Sequence, residues 1–151
     1  MTADTGDETR AGAGTAPLAA LLDSERRSAS PFQQAMGYRL TDWAEGFARV
    51  EYATAPSHTN RTASLHGGVI ATLLDTAAGY AGVFTGDPVH RQGAVTLSLT
   101  VNFVAGVTGG GIIVEGRRTG GGRKIFFAEA HARAADGTLI ASAVGTFRLV
   151  P

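Results

Sequence analysis

The chain has 151 residues, with 13 Lys plus Arg against 13 Asp plus Glu and no cysteine. That length suits one domain able to bury a sizeable core. Balanced charge offers no electrostatic footprint for nucleic acid, and the lack of thiols excludes disulfides, a cysteine nucleophile and a cysteine-based metal site.

The chain opens with acidic residues and no long apolar run, unlike a signal peptide, which fits a cytoplasmic protein. Residues 1–15 are small and polar and are expected to form a disordered tail, with 16–151 as a single domain. Leu18, Leu21 and Leu22 have helical spacing behind Pro17, so Pro17–Arg27 reads as a short helix and Pro31–Met36 as another helical turn. Tyr38–Asp42 and Phe47–Thr54 read as strands of a hairpin around Trp43–Gly46. Pro56–Ser64 is a loop carrying Asn60, and Thr85–Gln92 is the loop after the central helix.

In the next strand Val95, Leu97, Leu99, Val101 and Phe103 alternate with Thr96, Ser98, Thr100 and Asn102. The second set is polar but uncharged, which suits a wet pocket or a protein interface. Ile112–Arg118, Lys124–Arg133 and Thr138–Val150 complete the strands, the last two joined by a hairpin at Asp136-Gly137. Two strands, one long helix and four strands imply an α+β domain whose antiparallel sheet curls around the helix.

That helix, predicted from Val69 to Phe84, is apolar nearly all round and therefore expected to be buried. It is too short and too rich in Gly and Ala for a membrane span. Asp75 is its one charged residue, and a buried carboxylate is costly unless paired or functional. Ala71, Thr72, Ala78 and Gly79 lie one turn away and are small, leaving room beside it. The helix starts at His66-Gly67-Gly68, where unpaired N–H groups and the helix dipole can hold negative charge. Gly67 and Asp75 are eight positions apart, about 12 Å along a helix axis. One reacting carbonyl cannot reach both, so a joint role requires two chains and a site shared across a dimer.

Asn60, His66-Gly67-Gly68 and Asp75 also share one register. In that register the segment resembles the active-site segment of hotdog-fold acyl-CoA thioesterases of the phenylacetate-degradation and hydroxybenzoyl-CoA thioesterase type. The family pattern is Asn, a glycine three residues on, His-Gly-Gly three after that, and an acid nine after the His. This chain departs from it at Ala63, where the family usually has glycine. The resemblance covers about residues 31–150.

The resemblance implies a hotdog fold, a long central helix wrapped by a curled antiparallel sheet. It implies hydrolysis of an acyl-CoA thioester to free acid and CoA, with Asp75 as general base or nucleophile and the Gly67 N–H as oxyanion donor. Asn60 would orient the water or the thioester; its ordinary use is an Asx turn. His66 would shape the helix start and help position the acyl group. Thr96 would assist near the acid, against the ordinary reading of a strand threonine. CoA enters as part of the substrate, with no separate cofactor, and the family implies a homodimer that often pairs into a homotetramer.

Arg117, Arg118, Arg123 and Lys124 flank the turn Gly120-Gly121-Gly122. Such a group is ordinarily a solvated strand end; the CoA phosphates are the ligand it would suit here. The glycine run lacks P-loop spacing, and the four histidines lack metal-ligand spacing, so no metal is expected. Two other readings share these residues. A hotdog 3-hydroxyacyl-thioester dehydratase would place its His and acid in a different motif. A non-catalytic acyl-CoA-binding module would bind without turnover.

Overall fold

The computed structural model describes residues 14–151; the expected tail, apart from its last two positions, lies outside the described residues. Helix α1 (Leu18–Arg27) starts behind Pro17, and α2 (Pro31–Met36) follows. The Ser30 hydroxyl caps α2 by accepting the Gln33 N–H at 3.1 Å, and Gly37 stops it with φ +78°. A helix this short depends on such end groups, because it has few internal hydrogen bonds.

The strands are β1 (Arg39–Ala44), β2 (Phe47–Ala53), β3 (Gly93–Phe103), β4 (Gly111–Gly121), β5 (Ile125–Ala134) and β6 (Leu139–Val150). Helix α3 (Gly67–Gly82) lies between β2 and β3 in the chain. One antiparallel sheet has the order β1-β2-β4-β5-β6-β3, with α3 against one face. This is the expected hotdog arrangement, with the sheet left open at both edges. Trp43 lies in β1 instead of the predicted turn, because Glu45 and Gly46 turn the chain alone, Gly46 having φ +72°.

Alternation on β2, β4, β5 and β6 turns Val50, Val114, Phe126 and Phe147 toward Leu73, Leu74 and Ala77 of α3, all buried. Each large side chain buried this way is worth about 1.5–3 kcal/mol. Burial of α3 on every side does not occur within one chain. Ile70, Leu73, Leu74, Ala77, Ala78 and Ala81 are buried, while Val69, Asp75, Thr76, Gly79 and Tyr80 are only half-buried. The sheet covers one face of the helix, and Asp75 lies beside that face, where the edge strand β3 reaches it.

The edge strand β3 carries a bulge. Thr96 pairs with Phe147, but Ser98 pairs with Thr146, so Leu97 is an extra residue. Phe147 points at the helix, and Thr96 therefore does too. Beyond the bulge Leu99, Val101 and Phe103 pair with Gly145, Ala143 and Ala141 on that inner face. Ser98, Thr100 and Asn102 lie on the outer one. Thr96 thus does not share a face with Ser98, Thr100 and Asn102, contrary to the simple alternation. One inserted residue reverses the facing of everything after it.

Candidate active site

The bulge brings Thr96 to Asp75. The Thr96 hydroxyl donates to Asp75 Oδ1 at 2.8 Å, while Oδ2 has no partner among the described residues. Both side chains line a cavity of about 290 Å³ between α3, α1, the strand end and the loop after α3. Thr76 and Gly79 line it as well; of the four small neighbours expected to leave room beside Asp75, only Gly79 borders the cavity, and Ala78 is buried in the core. A carboxylate held by one hydroxyl and facing a cavity can accept a proton or attack an electrophile.

Two cavity residues escape the sequence reading, Glu25 and Arg91, and they meet there at Tyr80. The Glu25 carboxylate is buried. It accepts from the Tyr80 hydroxyl at 3.0 Å and from Arg91 Nη2 at 2.7 and 2.8 Å. Burial, reinforced by the Glu25 charge, pushes the Tyr80 phenol far above its ordinary 10.0. The available signal was Glu25 itself, four residues after Leu21 and so on the apolar side of α1. Asp87, at the cavity mouth, is held below the usual carboxylate range by the His90 ring and then by the Val89 N–H.

At the other end of α3, His66 is the cap. Its Nδ1 accepts the Gly68 N–H at 2.9 Å, which leaves the ring proton on Nε2. The Gly67 N–H has no partner among the described residues. Phe103 lies over this point, its ring 3.3 Å from where a Gly67 Cβ would be. Gly67 and Asp75 both belong to α3, so the separation of about 12 Å along its axis stands.

The entering loop is held by Asn60, whose Oδ1 accepts from Thr62 N–H, Thr62 Oγ1 and Ser64 N–H at 2.8 to 3.1 Å. This is the Asx-turn use. It leaves the Asn60 amide nitrogen unpartnered among the described residues. Ala63, in place of the family's glycine, has φ +59°. His58 pins the loop from below: its Nδ1 meets the Tyr52 hydroxyl at 2.6 Å, and its carbonyl accepts the His66 N–H at 2.9 Å.

The basic group divides. Arg117 points outward, its guanidinium 4.7 Å from the Phe47 ring centre and 3.6 Å from Glu115. Arg118 lies over Phe126 and donates to the Gly120 and Gly122 carbonyls, closing the glycine turn. Consecutive strand residues face opposite ways, so the four do not form one cluster. Arg123 and Lys124 are exposed at the turn and make no side-chain contact of this kind. Among the described residues there is no metal-binding group of His, Asp and Glu, and no helix long and apolar enough to cross a membrane.

Comparison with known proteins places the fold in a family. The family model for the thioesterase superfamily matches residues 63–141, more than half of the chain. A medium/long-chain acyl-CoA thioesterase, YigI of Salmonella typhimurium, is 28% identical over 78% of this chain and 84% of its own. Among solved structures, protein PA5202 of Pseudomonas aeruginosa is similar with TM-score 0.73 and 27% identity, covering 83% of this chain and 98% of that one. The E. coli PaaI protein, from the phenylacetic acid degradation operon, has the same fold at TM-score 0.72 and 20% identity, over 87% and 96% of the two chains. With the matched segment starting at Ala63 and spanning α3, β3, β4 and β5, the chain belongs to the thioesterase superfamily.

Proposed function

We propose that this protein hydrolyses an acyl-CoA thioester to the free acid and CoA at a site shared by two protomers. The observation that carries the reading is the Thr96–Asp75 hydrogen bond on a cavity wall, eight positions along α3 from a Gly67 N–H without a partner among the described residues. Asp75 acts as general base on a water, or as nucleophile through a mixed anhydride. The Gly67 N–H of the other protomer stabilises the oxyanion. Thr96 holds the carboxylate, His66 shapes the helix start, and the free amide nitrogen of Asn60 orients water or thioester. No cofactor or metal enters the reaction.

Partner choice follows from the edge. β3 is eleven residues long and exposes Val95, Leu97 and Phe103, an apolar edge that another copy of the chain would cover. Uncharged Ser98, Thr100 and Asn102 on the outer face, beside exposed Val144, suit a second contact that makes a homotetramer. Arg123 and Lys124 are the pair best placed for CoA phosphates, since Arg117 and Arg118 are engaged elsewhere. A cytoplasmic location follows from the availability of CoA there.

The test is thiol release from a panel of acyl-CoAs by wild type and Asp75→Asn. Turnover that Asp75→Asn abolishes while remaining folded supports the reading. Undiminished turnover by the variant removes Asp75 from the mechanism.

A further inference from the structure

The cavity beside Asp75 is lined by charged and polar side chains as well as apolar ones. Tyr80 lies about 7.5 Å along α3 from Asp75, at about 1.5 Å per residue. There it meets Glu25, and Glu25 holds Arg91. The Glu25 side chain is 7% exposed, whereas Arg91 keeps 46%. Both contacts to Glu25 use Arg91 Nη2; its Nε and Nη1 donate to nothing among the described residues. Ser24 and Tyr80 give their hydroxyl protons to the Pro88 carbonyl and to Glu25, and keep lone pairs to offer. A ligand reaching this wall meets donors and acceptors together. Burying the Glu25 carboxylate is costly unless it is paired, and the pair that compensates it lies on a cavity wall, outside the hydrophobic core.

Charge and size narrow the ligand. Glu25, Asp75 and Asp87 put three carboxylates on the cavity against one guanidinium, so an anionic end is repelled. An unsubstituted alkyl end would strip water from the spare Arg91 N–H groups and return no hydrogen bond. A neutral hydroxyl both donates and accepts. The volume, about 290 Å³, is roughly twice that of a cavity that holds benzene, enough for a medium-length acyl chain.

We propose, resting on the thioesterase reading, that Glu25, Arg91 and Tyr80 form a polar end wall of the acyl pocket. This wall selects medium-length acyl groups bearing a terminal hydroxyl over unsubstituted chains.

The probes are ketone analogues of ω-hydroxyoctanoyl-CoA and octanoyl-CoA, with a methylene in place of the thioester sulfur, titrated calorimetrically into the wild-type protein. The hydroxylated analogue is expected to bind about ten-fold tighter, a difference of about 1.4 kcal/mol. In the double variant Glu25→Met, Arg91→Met the order reverses. Replacing both partners avoids the stranded charge that a single replacement would leave. Equal affinities in wild type, tighter binding of the octanoyl analogue, or binding of neither overturns the proposal, and none of these outcomes depends on the variant folding. Thiol release from ω-hydroxyoctanoyl-CoA and octanoyl-CoA tests the thioesterase reading separately. Its absence alongside an intact binding preference would sink that reading and leave the wall standing.

Discussion

Gly116 of β4 lies directly beneath the carbonyl of Ala77 on α3, and a Cβ at position 116 would fall well inside van der Waals contact with that oxygen and with the Ala78 nitrogen. Both partners are backbone and neither can swing aside. Gly116→Ala is therefore expected to lower stability by about 3 kcal/mol, at the upper end of overpacking costs. Gly109→Ala, with open space around it, should stay within about 0.5 kcal/mol of wild type. Urea unfolding of the two variants checks the contrast.

Ala63 stands in the left-handed region at φ +59°, in the loop that Asn60 ties together. A side chain there costs about 1–2 kcal/mol relative to glycine. Ala63→Gly should raise stability by about 1 kcal/mol, after the entropy that glycine adds to the unfolded chain. A midpoint unchanged or lowered in denaturant would show that the loop holds Ala63 without strain.

The Thr96 hydroxyl is the one group among the described residues that donates to Asp75. A hydrogen bond to a charge is worth about 1.5–3 kcal/mol, or roughly 10- to 100-fold in rate if it acts in the transition state. Thr96→Val should lose that much in kcat, and Thr96→Ser should recover most of it. Equal rates for all three proteins would reduce Thr96 to an ordinary strand residue.

A site built from two chains can be complemented. Gly67 is the first residue of α3, a position that tolerates proline, so Gly67→Pro removes the N–H with little harm to the helix. Gly67→Pro and Asp75→Asn should each be inactive. Unfolded together and refolded in equal amounts, they should recover about a quarter of wild-type activity, since half of the dimers are mixed and each has one intact site. No recovery would overturn a site shared by Gly67 of one protomer and Asp75 of its partner.

Tyr80 gives a pH dependence with a definite sign. Burial and the Glu25 charge raise its folded value above the unfolded 10.0. Above pH 10 the unfolded chain loses this proton while the folded chain keeps it, so stability is fully present below pH 10 and falls as pH rises beyond it. Thermal unfolding between pH 9 and 11 should show that decline in wild type and a weaker one in Tyr80→Phe.

Much of this architecture could be read from the residues alone, for local reasons. The register of Asn60, His66-Gly67-Gly68 and Asp75 lies within one loop and one helix, where spacing is geometry. The Asp136-Gly137 hairpin forms with Gly137 at φ +88° and the Asp136 carboxylate accepting the Thr138 N–H. The facing of Thr96 was not readable, because Leu97 fits the apolar alternation as well as its neighbours do and nothing in its chemistry marks it as extra. The Glu25–Arg91 pair spans 66 positions and joins two elements whose contact depends on the finished fold. The division of the basic group was available: Arg117 and Arg118 are consecutive in a strand and cannot point the same way.

Leu97 makes β3 two strands in series with opposite phase. The half before it answers to the cavity through Thr96; the half after it presents Leu99, Val101 and Phe103 to the helix and reaches the Gly67 end. Flattening the bulge with Leu97 kept in the ladder would leave every chemical group of the site in the chain, yet restore continuous alternation and put Thr96 and the three apolar residues on opposite faces. Such a change is silent to any comparison that scores residue identity alone. In related chains the spacing from the acid-partner hydroxyl to the first inward apolar residue is therefore the quantity to compare, ahead of the residues that fill it.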